Sequence, residues 1–188
     1  MGHIVGLHRQ EGEEREENDF YATHPMAIPP LMKVLDWENV VKNIWEPACG
    51  QGHLSEMMRL YGHKVLSTDL IDRGYGIGGI DFLSNTIYDN DSFDAIITNP
   101  PYKLSVEFIE KALKIAPTVC AFLRITFLES LKRRKFFEQH PPRFVAVFTE
   151  RMASSKSAKF LPDESSNVCY AWFIWQRDFT GRPEILWI

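Results

Sequence analysis

The chain has 188 residues, of which 45% are hydrophobic and 24% charged, with a formal net charge of −4. That balance suits a single soluble domain with one sizeable core. It excludes a protein that coats nucleic acid through overall positive charge, while leaving room for a local basic groove. The three scattered cysteines do not make a complete disulfide framework, no apolar run reaches membrane-spanning length, and the amino terminus lacks a signal-peptide pattern. A cytoplasmic protein with reduced thiols and no membrane association is expected.

Residues 1–18 show no hydrophobic periodicity and end in an acidic block, Glu11 to Glu17, which is expected to be a flexible, solvated arm. Residues 19–188 then form one domain. Phe20, Tyr21, Ala22, Thr23, His24 and Pro25 precede a helical pattern over about 29–36, in which Ile28, Leu31, Met32, Leu35 and Trp37 share a face. His24 reads as a capping or packing residue ahead of that helix. A short apolar strand follows, opening from Val40 or Ile44, and runs into Glu46-Pro47-Ala48-Cys49-Gly50-Gln51-Gly52. Without a Cβ, Gly50 and Gly52 allow a tight turn and close approach of backbone to a ligand. The helix that follows, with Leu54, Met57, Met58 and Tyr61 at helical spacing, aims free N–H groups at the same place. The full dinucleotide fingerprint is absent because position 55 is Ser, which counts against a dehydrogenase.

The next apolar strand, residues 64–69, ends in Asp69. It lies about twenty residues beyond the glycine turn, where a second-strand carboxylate can accept from both hydroxyls of a ribose. A loose glycine-rich loop over 74–79 leads to Ile80-Asp81-Phe82-Leu83, read as a further strand end whose Asp and Phe are placed to read an amine and a flat ring. Residues 93–98 form a buried strand, stopped by Asn99-Pro100-Pro101-Tyr102 because two prolines can neither donate to a ladder nor continue it. The stop leaves a stiff platform at the carboxyl end of a strand, where ligands bind in open α/β sheets. Its Asn99 side-chain oxygen and Pro100 carbonyl can take both N–H groups of an exocyclic amine on a flat ring. Such acceptors matter most where charge develops on the nitrogen. Tyr102 offers a stacking face.

Beyond it, a helix is predicted over 105–116 and closed by Pro117. A strand over 119–125, a helix over 129–140 carrying Lys132-Arg133-Arg134-Lys135, and strands over 144–148 and 168–175 follow, the last being the final strand. The alternation implies a mostly parallel sheet finished by a hairpin-like pair. The loop between the last two strands, 149–167, carries Arg151, Lys156, Lys159 and Phe160 and makes this part of an acidic chain locally positive. No Cys/His spacing suggests a metal site, and no nucleophile or phosphate-loop motif is present.

In this order the motifs resemble the class I methyltransferases that use S-adenosylmethionine, most closely the DNA adenine N6 branch and its compact phage or prophage type. The resemblance implies a Rossmann-like, seven-stranded, mostly parallel sheet with one antiparallel strand near the C-terminus and helices on both faces. It implies cofactor contacts from Phe20, Thr23, Glu46, Ala48, Gly50, Gly52, Asp69, Asp81 and Phe82, with Glu46 near the methionine end. Asn99, Pro100 and Tyr102 are then catalytic and no metal is required. Target contacts are expected from Pro101, Lys103, Arg133, Arg134, Arg151, Lys156 and Phe160, there being no separate target-recognition domain. DNA is the expected partner, with RNA open, and a monomer or a homodimer fits equally. An RNA adenine methyltransferase, a protein glutamine methyltransferase and an inert cofactor- or DNA-binding module are the alternatives.

Overall fold

The structure, a computed structural model, describes residues 21–34, 41–84, 93–152, 154–155 and 168–188. The acidic arm, Phe20, Lys156, Phe160 and most of the 149–167 loop lie outside the described residues. Nine strands are described: β1 (Ala22–Thr23), β2 (Asn43–Glu46), β3 (Lys64–Ser67), β4 (Ala95–Thr98), β5 (Thr118–Arg124), β6 (Phe144–Val147), β7 (Ser154–Ser155), β8 (Tyr170–Gln176) and β9 (Glu184–Trp187). The α-helices are α1 (Ile28–Val34), α2 (His53–Leu60), α3 (Ser105–Ile115) and α4 (Leu131–Gln139).

Seven strands form one sheet in the order β3-β2-β4-β5-β8-β6-β9. The pairs β3–β2, β2–β4, β4–β5 and β6–β9 are parallel, and β8 runs antiparallel to both β5 and β6. The expected single reversed strand is therefore β8, in the middle of one half of the sheet. Strand alternation splits the core in two. Ile44, Ala95, Ile97, Cys120, Phe122, Trp172 and Ile174 face the side covered by Ile28 and Leu31 of α1 and Leu54 and Met58 of α2. Trp45, Ile96, Val119, Ala121, Leu123, Phe173 and Trp175 face the side covered by Phe108, Ile109, Ala112 and Ile115 of α3 and Phe136 of α4. A parallel sheet with both faces covered reads as near-continuous apolar strands, which is why β4 and β5 could be located without a polar face.

Three polar contacts set the sheet's register around the site. Asp94 Oδ2 accepts from the Lys42 and Asn43 N–H groups at 2.7 and 2.8 Å, fixing where β2 starts against β4. Trp45 Nε1 donates to Thr68 Oγ1 at 2.9 Å in the interior. Trp172 Nε1 donates to the Ala27 carbonyl at 2.8 Å and so ties the segment before α1 onto the sheet. These matter because a buried indole N–H without an acceptor is expensive.

Two expectations are corrected. Asp81 and Phe82 lie on a turn, not at the end of a strand: Asp81 Oδ1 accepts from the Leu83 N–H at 3.0 Å and Oδ2 from the Ser84 hydroxyl at 2.8 Å, a local capping arrangement that competes with strand pairing. The last strand is not the one near 168–175. β9 follows it and pairs with β6 at the sheet's edge, and its mostly exposed residues hide the buried-strand signal used elsewhere.

Candidate active site

At the carboxyl ends of β2, β3 and β4 lies a cleft enclosing about 890 Å³ and open to solvent. The β2–α2 turn, the β3 end, the 80–83 turn and the Asn99 platform line it, together with Tyr21 to Thr23. Thr23, Glu46, Ala48, Gly50, Asp69, Asp81, Phe82, Asn99, Pro100 and Pro101 all reach this one cleft although they span 78 positions of sequence, as Asn99 and Tyr21 illustrate.

The Asn99 amide is the most constrained group in the cleft. Its Nδ2 donates to the Tyr21 carbonyl and to Thr23 Oγ1, both at 2.9 Å. A backbone carbonyl can only accept, so these bonds fix which end of the amide is nitrogen. The remaining atom, Oδ1, is buried without a hydrogen-bond partner. An unpaired buried acceptor costs roughly 1–3 kcal/mol and is retained where a ligand donor completes it. Pro101 has extended backbone and caps the turn Tyr102–Leu104, its carbonyl accepting from the Leu104 N–H at 2.9 Å, so the two prolines hold Asn99 at a fixed height above the sheet.

The glycine turn is held by Asp69. Its Oδ2 accepts from the Gly50 N–H at 2.8 Å and its Oδ1 from the Ile71 N–H at 2.9 Å, so the carboxylate that faces the cleft also joins β2's turn to β3's. Each oxygen keeps a lone pair for a ligand hydroxyl. Gly50 and Gly52 both have positive φ, +54° and +84°. A Cβ at Gly52 would fall 2.4 Å from the Tyr75 ring, so Gly52 shapes the turn and is not itself a cleft-lining residue.

Glu46 is 2% exposed and lines the cleft floor. The Ser55 hydroxyl donates to it and also pairs with the Ser67 hydroxyl at 2.5 Å. Burial pushes the Glu46 carboxyl up to about 8, against the opposing pull of the Ser55 bonds. The serine that spoils a dinucleotide fingerprint thus has its own task, holding a buried acid. Phe82 is 1% exposed, packed edge-on to Trp45 at 5.0 Å between centroids and tilted on Phe108 at 4.8 Å, and it adds apolar surface to the cleft lining. Cys49 also lines the cleft, but burial and then the neighbouring Glu46 raise its thiol to about 12, which keeps it protonated and unreactive.

Tyr102 does not line this cleft. Its ring stacks on Tyr21 (5.8 Å, 25°), and the Arg124 guanidinium lies 4.9 Å from its centroid. Sequence reasoning passed over Tyr21, His53, Arg73 and Leu104, which line the cleft, and Arg124, which braces Tyr102. His24 does cap, its Nδ1 accepting from the Met26 N–H at 3.1 Å.

The expected target contacts fare unequally. Arg133 is occupied within the fold: Nε donates to the Phe127 carbonyl at 2.7 Å, and Nη2 to the Thr126 and Glu129 carbonyls at 3.1 and 3.0 Å. Arg134 pairs with Glu138 at 2.8 Å one turn along the same helix. Lys103 and Arg151 are exposed and lie outside the cleft. β1 pairs antiparallel with β7, Ala22 against Ser155 and Thr23 against Ser154, which attaches the 149–167 loop to the strand that holds Asn99. Among the described residues there is no cluster of three or more His, Cys, Asp or Glu able to hold a metal, and no helix long and apolar enough to cross a membrane.

This is the Rossmann-like fold of the class I methyltransferases. A Pyrococcus horikoshii protein provisionally described as an RNA methyltransferase shares it with a TM-score of 0.60 at 15% identity, over 89% of this chain and 93% of its own. So does a protein of Lactococcus lactis provisionally described as a hemolysin, with a TM-score of 0.58 at 10% identity over 87% and 91%. A TehB-like SAM-dependent methyltransferase from Corynebacterium glutamicum gives 0.50 at 15% identity over 82% and 88%. At such identities the likeness is one of fold. No protein-family model matches the chain, and no curated protein matches its sequence.

Proposed function

We propose that this chain is an S-adenosylmethionine-dependent methyltransferase that methylates an exocyclic amine, N6 of adenine in DNA. The observation that carries the reading is the buried, unpartnered Oδ1 of Asn99, a residue that lines the cleft beside Pro100 and whose Nδ2 end is already committed to Tyr21 and Thr23. A protein that needed Asn99 only to end a strand would have no use for a polar atom left bare at that point.

The cleft's residues fit the cofactor. Asp69 has lone pairs for a ribose, Gly50 gives backbone access, Phe82 gives an apolar surface, and Glu46 supplies a carboxyl group for the methionine end. When bound, S-adenosylmethionine supplies a methyl group already activated on a sulfonium. Asn99 Oδ1 and the Pro100 carbonyl accept the amine's two N–H groups and stabilise the positive charge that builds on its nitrogen. Tyr102 stacks on the flat ring, worth about 1–3 kcal/mol, which offsets much of the few kcal/mol of pairing and stacking lost when a base leaves a duplex. Lys103 and Arg151, both exposed, are the remaining described candidates for phosphate contact.

The test is methyl transfer to unmethylated DNA by wild type and by Asn99→Ala, together with cofactor affinity for both. Turnover in wild type and its loss in the variant, with cofactor affinity within a few-fold, is the expected result. Full retention of turnover by Asn99→Ala overturns the assignment.

A further inference from the structure

Two rings stand beside the Asn99 amide, and only one of them belongs to the Asn-Pro-Pro-Tyr motif. Tyr21 stacks on Tyr102 with centroids 5.8 Å apart and planes 25° from parallel. The Tyr21 backbone carbonyl also holds Asn99 Nδ2 at 2.9 Å, so ring and amide are positioned by one residue. Tyr21 lines the cofactor cleft and Tyr102 does not, which places the Tyr21 ring where the cleft meets the Tyr102 platform.

We propose that Tyr21 and Tyr102 form a two-ring clamp for the flat target base, with Tyr21 its second stacking face. The inference rests on the methyltransferase reading and sharpens its substrate class. A pair of facing rings selects a planar nucleobase over the slender amide of a glutamine side chain. Tyr102 is the fixed jaw: the Arg124 guanidinium lies 4.9 Å from its ring centroid, and its hydroxyl donates to the Tyr170 hydroxyl at 3.5 Å. Tyr21 is the movable jaw: it precedes the two-residue strand β1, which pairs with the equally short β7, and its backbone carbonyl stays on Asn99 while the ring turns. Ring atoms pack about 3.5 Å apart, so an inserted base needs roughly 7 Å between the two planes. The two rings stand 5.8 Å apart between centroids, so Tyr21 has to swing away from Tyr102 to admit a base. This assigns to Tyr21 the role that the sequence had offered to Phe160.

The experiment compares wild type, Tyr21→Leu and Tyr21→Phe, all of which keep the carbonyl that holds Asn99. Unmethylated plasmid DNA is titrated in the methyl-transfer assay, cofactor affinity is measured calorimetrically, and thermal midpoints check folding. Tyr21→Leu should raise KM for DNA by about 5- to 150-fold, the range of one base–aromatic stack. Cofactor affinity should fall far less, and Tyr21→Phe should recover most of the lost KM. An unchanged or lower KM in a folded Tyr21→Leu overturns the clamp, as does an equal loss of cofactor affinity. If wild type transfers no methyl to nucleic acid, the functional reading falls and the clamp falls with it. If wild type is active and Tyr21→Leu matches it, the clamp alone falls.

Discussion

Gly52→Ala tests how the cofactor turn is built. Gly52 has φ +84°, a conformation that costs an L-residue roughly 1–2 kcal/mol. An added Cβ would also fall 2.4, 2.4 and 2.5 Å from three atoms of the Tyr75 ring, closer than real contacts, so the ring must swing away. In doing so it gives up the Tyr75 hydroxyl's bond to Glu56 at 2.6 Å, its bond with Arg59, and the Arg59 guanidinium 5.5 Å from its centroid. For such half-exposed contacts the loss is about 1–2 kcal/mol. The total is about 2–4 kcal/mol, or a fall in Tm of about 4–16 °C for a domain of this size. Urea denaturation of Gly52→Ala, Tyr75→Ala and the double variant reads the parts separately. Once Tyr75 has been displaced its removal costs nothing more, so the double variant should be no less stable than Gly52→Ala alone. Additive losses, within about 0.5 kcal/mol, refute the ring-displacement argument.

Glu46 makes stability depend on pH. Its carboxyl holds its proton up to about 8 in the fold but ionises near 4.5 when unfolded, so stability is full below that lower value and falls as pH rises towards 8. Glu46→Gln, still able to accept from Ser55, should flatten this fall in a denaturation series across the window; parallel slopes would refute it. Asp69→Ala removes the acceptor of the Gly50 and Ile71 N–H groups and should weaken cofactor binding at least tenfold by calorimetry, a loss of about 1.4 kcal/mol or more. Unchanged affinity would show that the turn holds without it. Arg133→Ala strips donors from three backbone carbonyls and should lower Tm while leaving the salt dependence of DNA affinity unchanged. A salt slope smaller by about one would instead make Arg133 a phosphate contact.

Much of this was legible in the sequence, for physical reasons that differ by element. The predicted helix over 105–116 is observed as Ser105–Ile115, because Phe108, Ile109, Ala112 and Ile115 repeat at helical spacing and proline ends it. The strands on either side of it were legible as continuous apolar runs, since both sheet faces are covered. β9 was not: Glu184, Ile185 and Trp187 are exposed on an edge, and burial was the signal being read. The Asp81 turn was missed because its two local hydrogen bonds depend on the side chain, which hydrophobic periodicity does not report. Within the site, the glycine turn, Asp69 and Asn99 carry signals at fixed spacing. Tyr21 stands out only as part of the Phe20–Pro25 segment, since its importance comes from a carbonyl and a ring brought beside Asn99 from 78 positions away. Arg133, expected from the sequence as a target contact, donates to three of the fold's own carbonyls. Its three acceptors, the Thr126, Phe127 and Glu129 carbonyls, gave no sequence signal.

The central claim is that Asn99 presents an acceptor to an exocyclic amine, and the chemical position of the transferred methyl tests it most directly. DNA, RNA and a protein extract are each incubated with labelled S-adenosylmethionine and the enzyme, and the products are digested and identified by mass spectrometry. The account predicts N6-methyladenine from DNA, absent with Asn99→Ala. Label on a ring carbon, as in 5-methylcytosine, would contradict it, because a carbon nucleophile has no N–H for Asn99 Oδ1 to accept.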